Sequence, residues 1–274
     1  MIPVVSIHCR DYALAEVRKA VEEVLEPLGG IEAFVKPGQR VMLKPNLLRA
    51  SSPEKGVTTH PALVRVLSEM VRDVGARPVI ADSPSLGPWI LVAKTTGMAE
   101  VAKGTGAELL NLDRAVTVHT PSEFSFRILE LAKEVFEVDC IINIPKLKTH
   151  SMTLLTLGVK NLFGCVPGFR KSSWHLKAGT DREFFAALLL EISLLIKPSL
   201  TVLDAIWGME GNGPTSGNPR FVGRILASAD PLALDRVVVE ALGLEPDSLP
   251  TLRVARKRGL LPQATLIGDP LPLD

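Results

Sequence analysis

Cysteine is scarce in this sequence, with three residues in 274. Cys9, Cys140 and Cys165 lie far apart, and no two of them form a C-x-x-C motif. A disulfide-stabilised scaffold is therefore not expected, and neither is an iron–sulfur or zinc site made of four cysteines of this chain. A single cysteine among apolar residues is more often a packing residue than a ligand.

Net charge and aromatic side chains are also in short supply. The formal net charge is +1, and aromatic residues make up 5% of the chain. Proteins that bind RNA or DNA usually carry a basic stripe and aromatic stacking platforms. Nucleic-acid binding is therefore the least favoured function, and any attraction for an anion must come from a local cluster of basic residues.

Long apolar runs are absent as well. No stretch reaches the roughly 18 apolar residues that a membrane-spanning helix needs. The longest apolar segment, 184–196, contains Glu191 and is followed by Pro198, which is typical of a buried core helix. The first ten residues contain too short an apolar run for a signal peptide. We therefore predict a cytoplasmic location and no membrane partner.

What the sequence does contain is an alternation of short apolar runs with helical patterns. Strands are predicted at 4–9, 40–43, 78–81, 108–112, 139–144, 200–206 and 221–227. The alternation predicts a single α/β domain over residues 1–274, with a mainly parallel, Rossmann-like sheet flanked by helices. Two lobes divided within 112–126 are the alternative. The least regular region is predicted to hold a turn at 119–122 with short strands on either side, as in a hairpin, and a short helix at 129–135. A helix is also predicted near 154–163.

Ligands of open α/β sheets bind beyond the carboxyl ends of the strands, so the residues at those ends form the search set. Four predicted strands end in Lys44 and Asn46, in Asp82 and Ser83, in Lys146, Lys148 and His150, and in Asp204. Lys146 and Lys148 point to one face if their strand continues. Because neighbouring ammonium groups repel, a phosphate or carboxylate ligand is predicted between them. The alternative is solvated rim lysines that pair with Asp82 or Asp204.

Two loops add candidates for anion binding. Thr58 and His60 precede a helix that opens at Pro61, where free backbone N–H groups favour anions. The alternative there is simple capping by Thr58 or Thr59. A glycine-rich loop with Gly211 and Gly213 follows the 200–206 strand and can bring backbone N–H groups to a ligand. A plain mobile loop explains the same residues equally well.

The segment around residue 160 mixes polar and apolar residues. Lys160 and Asn161 interrupt an apolar run, and Cys165 is either a reactive thiol, a metal ligand or a packing residue. None of the five histidines shows H-x-x-x-H or H-E-x-x-H spacing, so no metal site is indicated locally. A site formed in space by His60, His150 and His175 is the remaining alternative.

Several motifs together resemble a known family. They are K-P-N-L-L at 44–48, T-T-H-P at 58–61, D-S-P at 82–84, I-P-K-L-K-T-H at 144–150, K-N-L-F-G at 160–164, M-E-G-N-G-P-T-S-G at 209–217 and A-D-P at 229–231. His175, downstream of K-N-L-F-G, completes the set. The set is similar to the family called domain of unknown function 362, over nearly the whole chain. Many members carry a ferredoxin-like module with two iron–sulfur clusters, which implies a redox setting. This chain departs from that plan because it lacks such cysteine clusters.

A more distant resemblance is to the N-terminal domain of lactate racemase. It is a likeness of fold alone, and it implies a catalytic α/β fold that acts on small acids.

Three functions follow, and the sequence leaves them open. The first is an enzyme or binding protein for a small anionic metabolite, with His150, His60, Asp82 and Asp204 as catalytic candidates. The second is a metal- or iron–sulfur-linked redox accessory protein, with Cys165 and His175 as ligands of a divalent metal or cluster and a ferredoxin-like electron carrier as partner. The third is an RNA- or DNA-binding protein. The ligand-binding candidates of the first are Lys44, Asn46, Thr58, Ser83, Lys146, Lys148, Lys160, Asn161, Gly211 and Gly213.

Overall fold

The computed structural model describes residues 1–271, within which the chain forms twelve β-strands and nine α-helices. The strands are β1 (Ile2–His8), β2 (Arg40–Pro45), β3 (Arg77–Asp82), β4 (Glu108–Asn111), β5 (Ala115–His119), β6 (Ile128–Ala132), β7 (Cys140–Ile144), β8 (Lys146–His150), β9 (Leu154–Thr156), β10 (Leu200–Glu210), β11 (Asn218–Ser228) and β12 (Ala264–Gly268). The helices are α1 (Leu14–Leu25), α2 (Pro61–Asp73), α3 (Trp89–Thr95), α4 (Met98–Thr105), α5 (Gly158–Asn161), α6 (Arg170–Ala178), α7 (Arg182–Ile196), α8 (Pro231–Ala241) and α9 (Pro250–Lys257).

Ten of the strands form one sheet, and eight of these follow the order β12-β1-β11-β10-β7-β2-β3-β4. Neighbours from β10 through β4 are parallel, whereas β11 runs antiparallel to both β1 and β10. The prediction of a mainly parallel α/β sheet flanked by helices is confirmed. β8 continues the line of β7 and pairs with the far half of β10, so this part of the sheet reaches beyond its neighbours.

The helices cover the two faces of the sheet because alternate strand residues are apolar on each side. On one face, Val41 and Leu43 of β2 pack against α1, α2, α3 and α4. On the other face, Met42 belongs to the core formed with α5, α7, α8 and α9. The longest apolar segment is the buried helix α7, as the sequence predicts.

Three local expectations were wrong. Residues 129–135 were expected to be helical, but β6 pairs with β5 as a two-stranded hairpin sheet, followed by a 3-10 turn. The 154–163 region begins with β9 before the short helix α5. The strand that was expected to end near Asp204 continues to Glu210 and pairs with β11, so the glycine loop is the tip of a long hairpin. In each case pairing with the neighbouring strand of a hairpin determined the outcome.

The parallel register brings four strand ends to one edge of the sheet. Lys44 of β2 lies opposite Asn143 of β7, and Asp204 of β10 lies opposite Lys146 of β8. The residues that the sequence singled out at separate strand ends therefore face a common region.

Candidate functional site

Lys44 and Asp82 form a buried ion pair at the ends of β2 and β3. The Lys44 Nζ donates to Asp82 Oδ1 at 2.8 Å, and Asp82 Oδ2 accepts the backbone N–H of Leu47 at 2.7 Å. Gly164 lies against this pair, since a Cβ there would overlap Asp82 Oδ1 and lie 2.6 Å from the Lys44 Nζ. The absence of a side chain at 164 is therefore a requirement of close packing.

A second buried pair joins Lys146 to Asp204. The Lys146 Nζ donates to Asp204 Oδ2 at 2.9 Å and to the hydroxyl of Tyr12 at 2.8 Å, and that hydroxyl donates to Asp204 Oδ1 at 2.7 Å. Asp204 Oδ2 also accepts the backbone N–H of His60 at 2.8 Å. Burial lowers the pKa of Lys146, and the charge of Asp204 opposes that shift.

The chain's one tyrosine thus belongs to the site, although the sequence analysis missed it. The His60 ring stacks on the Tyr12 ring at 3.5 Å between centroids, and His60 Nδ1 accepts the N–H of Ala62. Burial lowers the pKa of His60 to about 4. His60 itself is the N-cap of α2, so the expected capping by Thr58 or Thr59 was wrong.

Thr59 and Thr58 do not cap α2. The Thr59 hydroxyl donates to the carbonyl of Ile144 and accepts the N–H of Asn46, which ties the 46–59 loop to β7. The Thr58 hydroxyl is fully buried and has no hydrogen-bond partner within residues 1–271.

Three asparagine side chains form a hydrogen-bonded chain that contacts Lys44 and Lys148. The Asn161 Nδ2 donates to the carbonyl of Lys44 and to Asn143 Oδ1, and its Oδ1 accepts from Asn46 Nδ2 at 3.1 Å. Asn46 Oδ1 in turn accepts from the Lys148 Nζ at 2.9 Å. Asn143, a polar residue in an apolar strand, is a signal that the sequence analysis passed over.

Lys148 is almost fully buried, and its other acceptor is the carbonyl of Val57 at 2.6 Å. No carboxylate of the described residues pairs with it. Burial, together with the charges of Lys160 and Lys146, lowers the pKa of Lys148 to about 7. Unlike Lys44 and Lys146, this lysine forms no ion pair with a carboxylate of residues 1–271.

Lys160 is half-buried and is held by aromatic rings. Its Nζ lies 4.8 Å from the ring centre of Phe163 and 5.6 Å from that of Phe185, and it makes no hydrogen bond to the described residues. Burial and the charges of Lys171 and Lys44 lower its pKa to about 7. Near neutral pH, both the charged and the neutral form of its amine are therefore populated.

His150 and His175 flank Lys160. His150 Nδ1 accepts the backbone N–H groups of Met152 and Thr153, so its proton resides on Nε2. Burial lowers its pKa to about 3, with the charges of Lys160, His175 and Lys148 acting in the same direction. His175 packs on Phe163 and Phe185, and burial lowers its pKa to about 4. Both rings are neutral at pH 7.

Lys171 is a third lysine without a carboxylate partner in the described chain. Its buried Nζ donates to the carbonyl and hydroxyl of Ser83 and to the carbonyl of Val166, at 2.7, 2.8 and 3.0 Å. Burial lowers its pKa to about 8. Lys171 lies on α6, many residues along the sequence from any predicted strand end. The search for polar residues at strand ends could therefore not find it.

Asp235 was also missed. This buried residue of α8 accepts the backbone N–H groups of Gly158 and Val159 at 2.6 and 3.1 Å, at the start of the short helix that carries Lys160 and Asn161. Burial raises the pKa of Asp235 to about 8. Its place in an apolar helical run was the available signal.

The glycine loop meets the site at the end of β8. The Thr149 hydroxyl donates to the carbonyl of Gly211 and accepts the N–H of Gly213 at 3.2 Å. A side chain at Gly213 would overlap the Thr149 carbonyl. The loop is thus anchored beside His150, and its role in ligand binding stays a prediction.

The donors needed for a metal or cluster do not come together in the described chain. No group of three or more His, Cys, Asp or Glu side chains in residues 1–271 is arranged to hold a metal ion. Cys165 is buried beside Lys44 and Asp82, and burial raises its pKa to about 12, which opposes the thiolate form. Cys9 and Cys140 pack in the core of the opposite face. These residues do not fit an iron–sulfur cluster.

The features assembled at this edge can be compared with those of other proteins. The family model described as Domain of unknown function (DUF362) matches residues 41–240. The chain belongs to the DUF362 family. This DUF362 chain is 40% identical over 265 residues to a thylakoid-associated protein of Synechocystis sp., an alignment that covers 97% of the chain and 82% of that protein.

A solved structure resembles this DUF362 chain in fold. The lactate racemase apoprotein from Thermoanaerobacterium thermosaccharolyticum superposes with a TM-score of 0.53 over 84% of the chain, at 11% identity. The chain spans about half, 55%, of the length of that racemase chain. The likeness shows a shared α/β fold, as the resemblance to the N-terminal domain of lactate racemase implies.

Proposed function

We propose that this DUF362 chain binds a small anionic metabolite, one that bears a phosphate or carboxylate, at the carboxyl edge of its sheet. One observation carries the proposal. Of five clustered lysines, Lys44 and Lys146 have carboxylate partners, whereas Lys148, Lys160 and Lys171 have none among the described residues. An anion supplies the missing countercharge.

The lysines without partners also predict how binding depends on protons. The pKa values of Lys148 and Lys160 are near 7 because burial and the charges of nearby lysines disfavour the ammonium form. A bound anion favours that form and raises both pKa values. Binding at pH 8 should therefore draw protons from the solvent.

The site also holds groups suited to proton transfer. Lys160 can exchange a proton near neutral pH, and His150 presents a neutral Nε2–H donor. We assign Lys160 the acid/base role if a reaction takes place, and His150 the role of a hydrogen-bond donor to the ligand. His60, stacked on Tyr12 and bonded to Asp204, positions the second ion pair.

The experiment is isothermal titration calorimetry of the full chain with inorganic phosphate and with malonate, each in two buffers of different ionisation enthalpy at pH 8. We expect saturable binding of at least one probe, with net proton uptake. Lys160→Met should weaken this binding about ten-fold or more, since a charged hydrogen bond is lost. The control Lys103→Met changes an exposed lysine of α4 and should bind as the wild type does. Equal affinities of the two variants would overturn the site.

No contact within residues 1–271 favours the hypothesis of a redox accessory protein or that of a nucleic-acid-binding protein. A ferredoxin-like electron carrier and a nucleic acid stay predictions of lower rank. Within residues 1–271 no helix is both long and apolar enough to cross a bilayer. We keep a cytoplasmic location as part of the proposal. The Synechocystis relative, by contrast, is named for an association with the thylakoid.

A further inference from the structure

The three most exposed large apolar side chains of the described residues, apart from Met1, lie in two short segments. Phe169 and Leu176 are 91% and 85% exposed and lie seven residues apart, which places them on one side of α6. Ile90 of α3 is 81% exposed, and Leu86 and Leu91 are more than half exposed. Isolated exposed apolar residues are ordinary, but a cluster of this kind marks an interaction surface.

The two segments are adjacent in space. The Ser83 hydroxyl accepts the backbone N–H of Gly168 at 3.0 Å, and the Lys171 Nζ donates to the Ser83 carbonyl at 2.7 Å. These bonds join the start of the 83–99 segment to the start of the 166–180 segment. We call the exposed face of these two segments the apolar rim; it comprises Leu86, Ile90, Leu91, Phe169 and Leu176.

The charged side chains within the two segments are basic, and acidic residues lie at their borders: Glu100, Asp181 and Glu130. The stretches 83–99 and 166–180 contain no Asp or Glu, although the chain has 30 acidic residues in all. Lys94 is exposed, and the Lys177 Nζ lies over the Trp174 ring at 4.6 Å. Arg49 is exposed and bridges to Leu86 through the backbone. Of the basic residues beside the rim, Arg170 has a carboxylate partner, Glu130, at 2.9 Å.

Tryptophan is also concentrated there. Two of the chain's three tryptophans, Trp89 and Trp174, lie in these segments and are half-buried. Protruding Phe, Leu and Ile side chains, tryptophans at an intermediate depth and a surround of Lys and Arg are the pattern of a surface that lies on a membrane. A protein partner of matching shape requires no such mainly basic surround.

We propose that the apolar rim docks the protein on the surface of an anionic lipid bilayer. The apolar side chains enter the boundary between headgroups and acyl chains, and Arg49, Lys94 and Lys177 contact anionic headgroups. The sequence-based expectation of no membrane partner depended on spanning segments and net charge, and neither detects a docked patch. The proposal is independent of anion binding at the lysine site.

The test is co-sedimentation of the full chain with vesicles of phosphatidylglycerol and phosphatidylcholine, compared with vesicles of phosphatidylcholine alone. We expect binding to the anionic vesicles that weakens with salt, together with a blue shift of tryptophan fluorescence. The double variant Ile90→Ser/Phe169→Ser should lose about ten-fold or more of the affinity, because two apolar side chains no longer leave water. Both residues are exposed, so the variant should keep the melting temperature of the wild type.

The control is Leu244→Ser/Leu260→Ser, which changes apolar residues outside the rim that are 38% and 42% exposed. This variant should bind anionic vesicles as the wild type does. Failure of the wild type to bind at low salt, or equal binding by both double variants, would overturn the proposal. A wild-type dimer that becomes monomeric in Ile90→Ser/Phe169→Ser, without vesicle binding, would assign the rim to a second copy of the chain instead.

Discussion

Lys44 and Asp82, at the ends of the neighbouring strands β2 and β3, form an ion pair in the protein interior, with the Lys44 Nζ 2.8 Å from Asp82 Oδ1. Their side chains are 0% and 5% exposed. Because the two charges neutralise each other, we assign this pair a structural role and call it the framework pair. The lysines that lack such a partner, Lys148, Lys160 and Lys171, are the ones that an incoming anion can neutralise. Four predictions test this division and the geometry around it.

Breaking the framework pair should be costly. In Asp82→Ala a buried ammonium is left without its partner, and we expect the free energy of unfolding to fall by about 3–5 kcal/mol in urea denaturation. The double variant Lys44→Met/Asp82→Ala should recover part of this loss, since the unmatched charge is gone. The control Asp73→Ala, at an exposed position of α2, should change stability by less than about 0.5 kcal/mol. Similar losses for Asp82→Ala and Asp73→Ala would contradict the assignment.

Adding one carbon at residue 164 should disturb the same pair. The Cβ of Gly164→Ala would overlap Asp82 Oδ1, so we expect a loss of about 1–3 kcal/mol in thermal or urea unfolding. Gly104→Ala is the matched control, because its Cβ would meet its nearest neighbour, Arg65 Nη2, at 3.9 Å. Alanine at 104 should stabilise α4 by about 0.5–1 kcal/mol. If alanine is tolerated equally at both positions, the close contact at Gly164 is incorrect.

Replacing Lys160 should stabilise the protein in a pH-dependent way. Burial lowers the Lys160 pKa from its ordinary value of 10.5 to about 7, so the unfolded chain binds more protons than the folded chain between these values. The wild type therefore gains stability from this residue as pH rises through that window. Lys160→Met should be more stable than the wild type at pH 7, and the difference should shrink by up to about 1.4 kcal/mol per pH unit as pH rises toward 10.5.

The measurement is urea denaturation of both proteins at pH 7, 8 and 9, and their difference cancels the other titrating groups. A gap that stays constant with pH would show that the Lys160 pKa is not lowered. Loss of anion binding together with gained stability would mark Lys160 as a residue kept for function.

His150 should remain neutral through the physiological range. Burial lowers its pKa to about 3, and its Nδ1 accepts two backbone N–H groups. Long-range ¹H–¹⁵N correlation spectra should show the Nε2–H tautomer, with no titration between pH 8 and pH 5. A titration midpoint for His150 between 6 and 7 would contradict this and would restore it as a general base.

Particular residues show how far sequence reasoning reached. The rule that ligands bind at strand ends selected Lys44, Asp82, Lys146, Lys148 and Asp204, and the structure brings these together. The alternative of lysines paired with aspartates is correct for Lys44 and Lys146, but the pairs are buried rather than solvated.

Other members of the site carry no local signal of that kind. Lys171 reaches Ser83 from a helix, and Tyr12 reaches Asp204 from the loop before α1. Their roles depend on hydrogen bonds between residues that are 88 and 192 positions apart in the sequence. Local sequence periodicity does not predict such contacts.

The sequence by itself determined the α/β class, the approximate strands and the residues at the carboxyl edge, because apolar periodicity and strand-end position are local properties. Only the tertiary structure decided which lysines are neutralised by aspartates and which are left with lowered pKa values. It alone also joined the 83–99 and 166–180 segments through the contacts of Ser83 with Gly168 and Lys171. Countercharge, burial and surface continuity depend on residues far apart in the chain, and only the packed sheet and its helices bring those residues into contact.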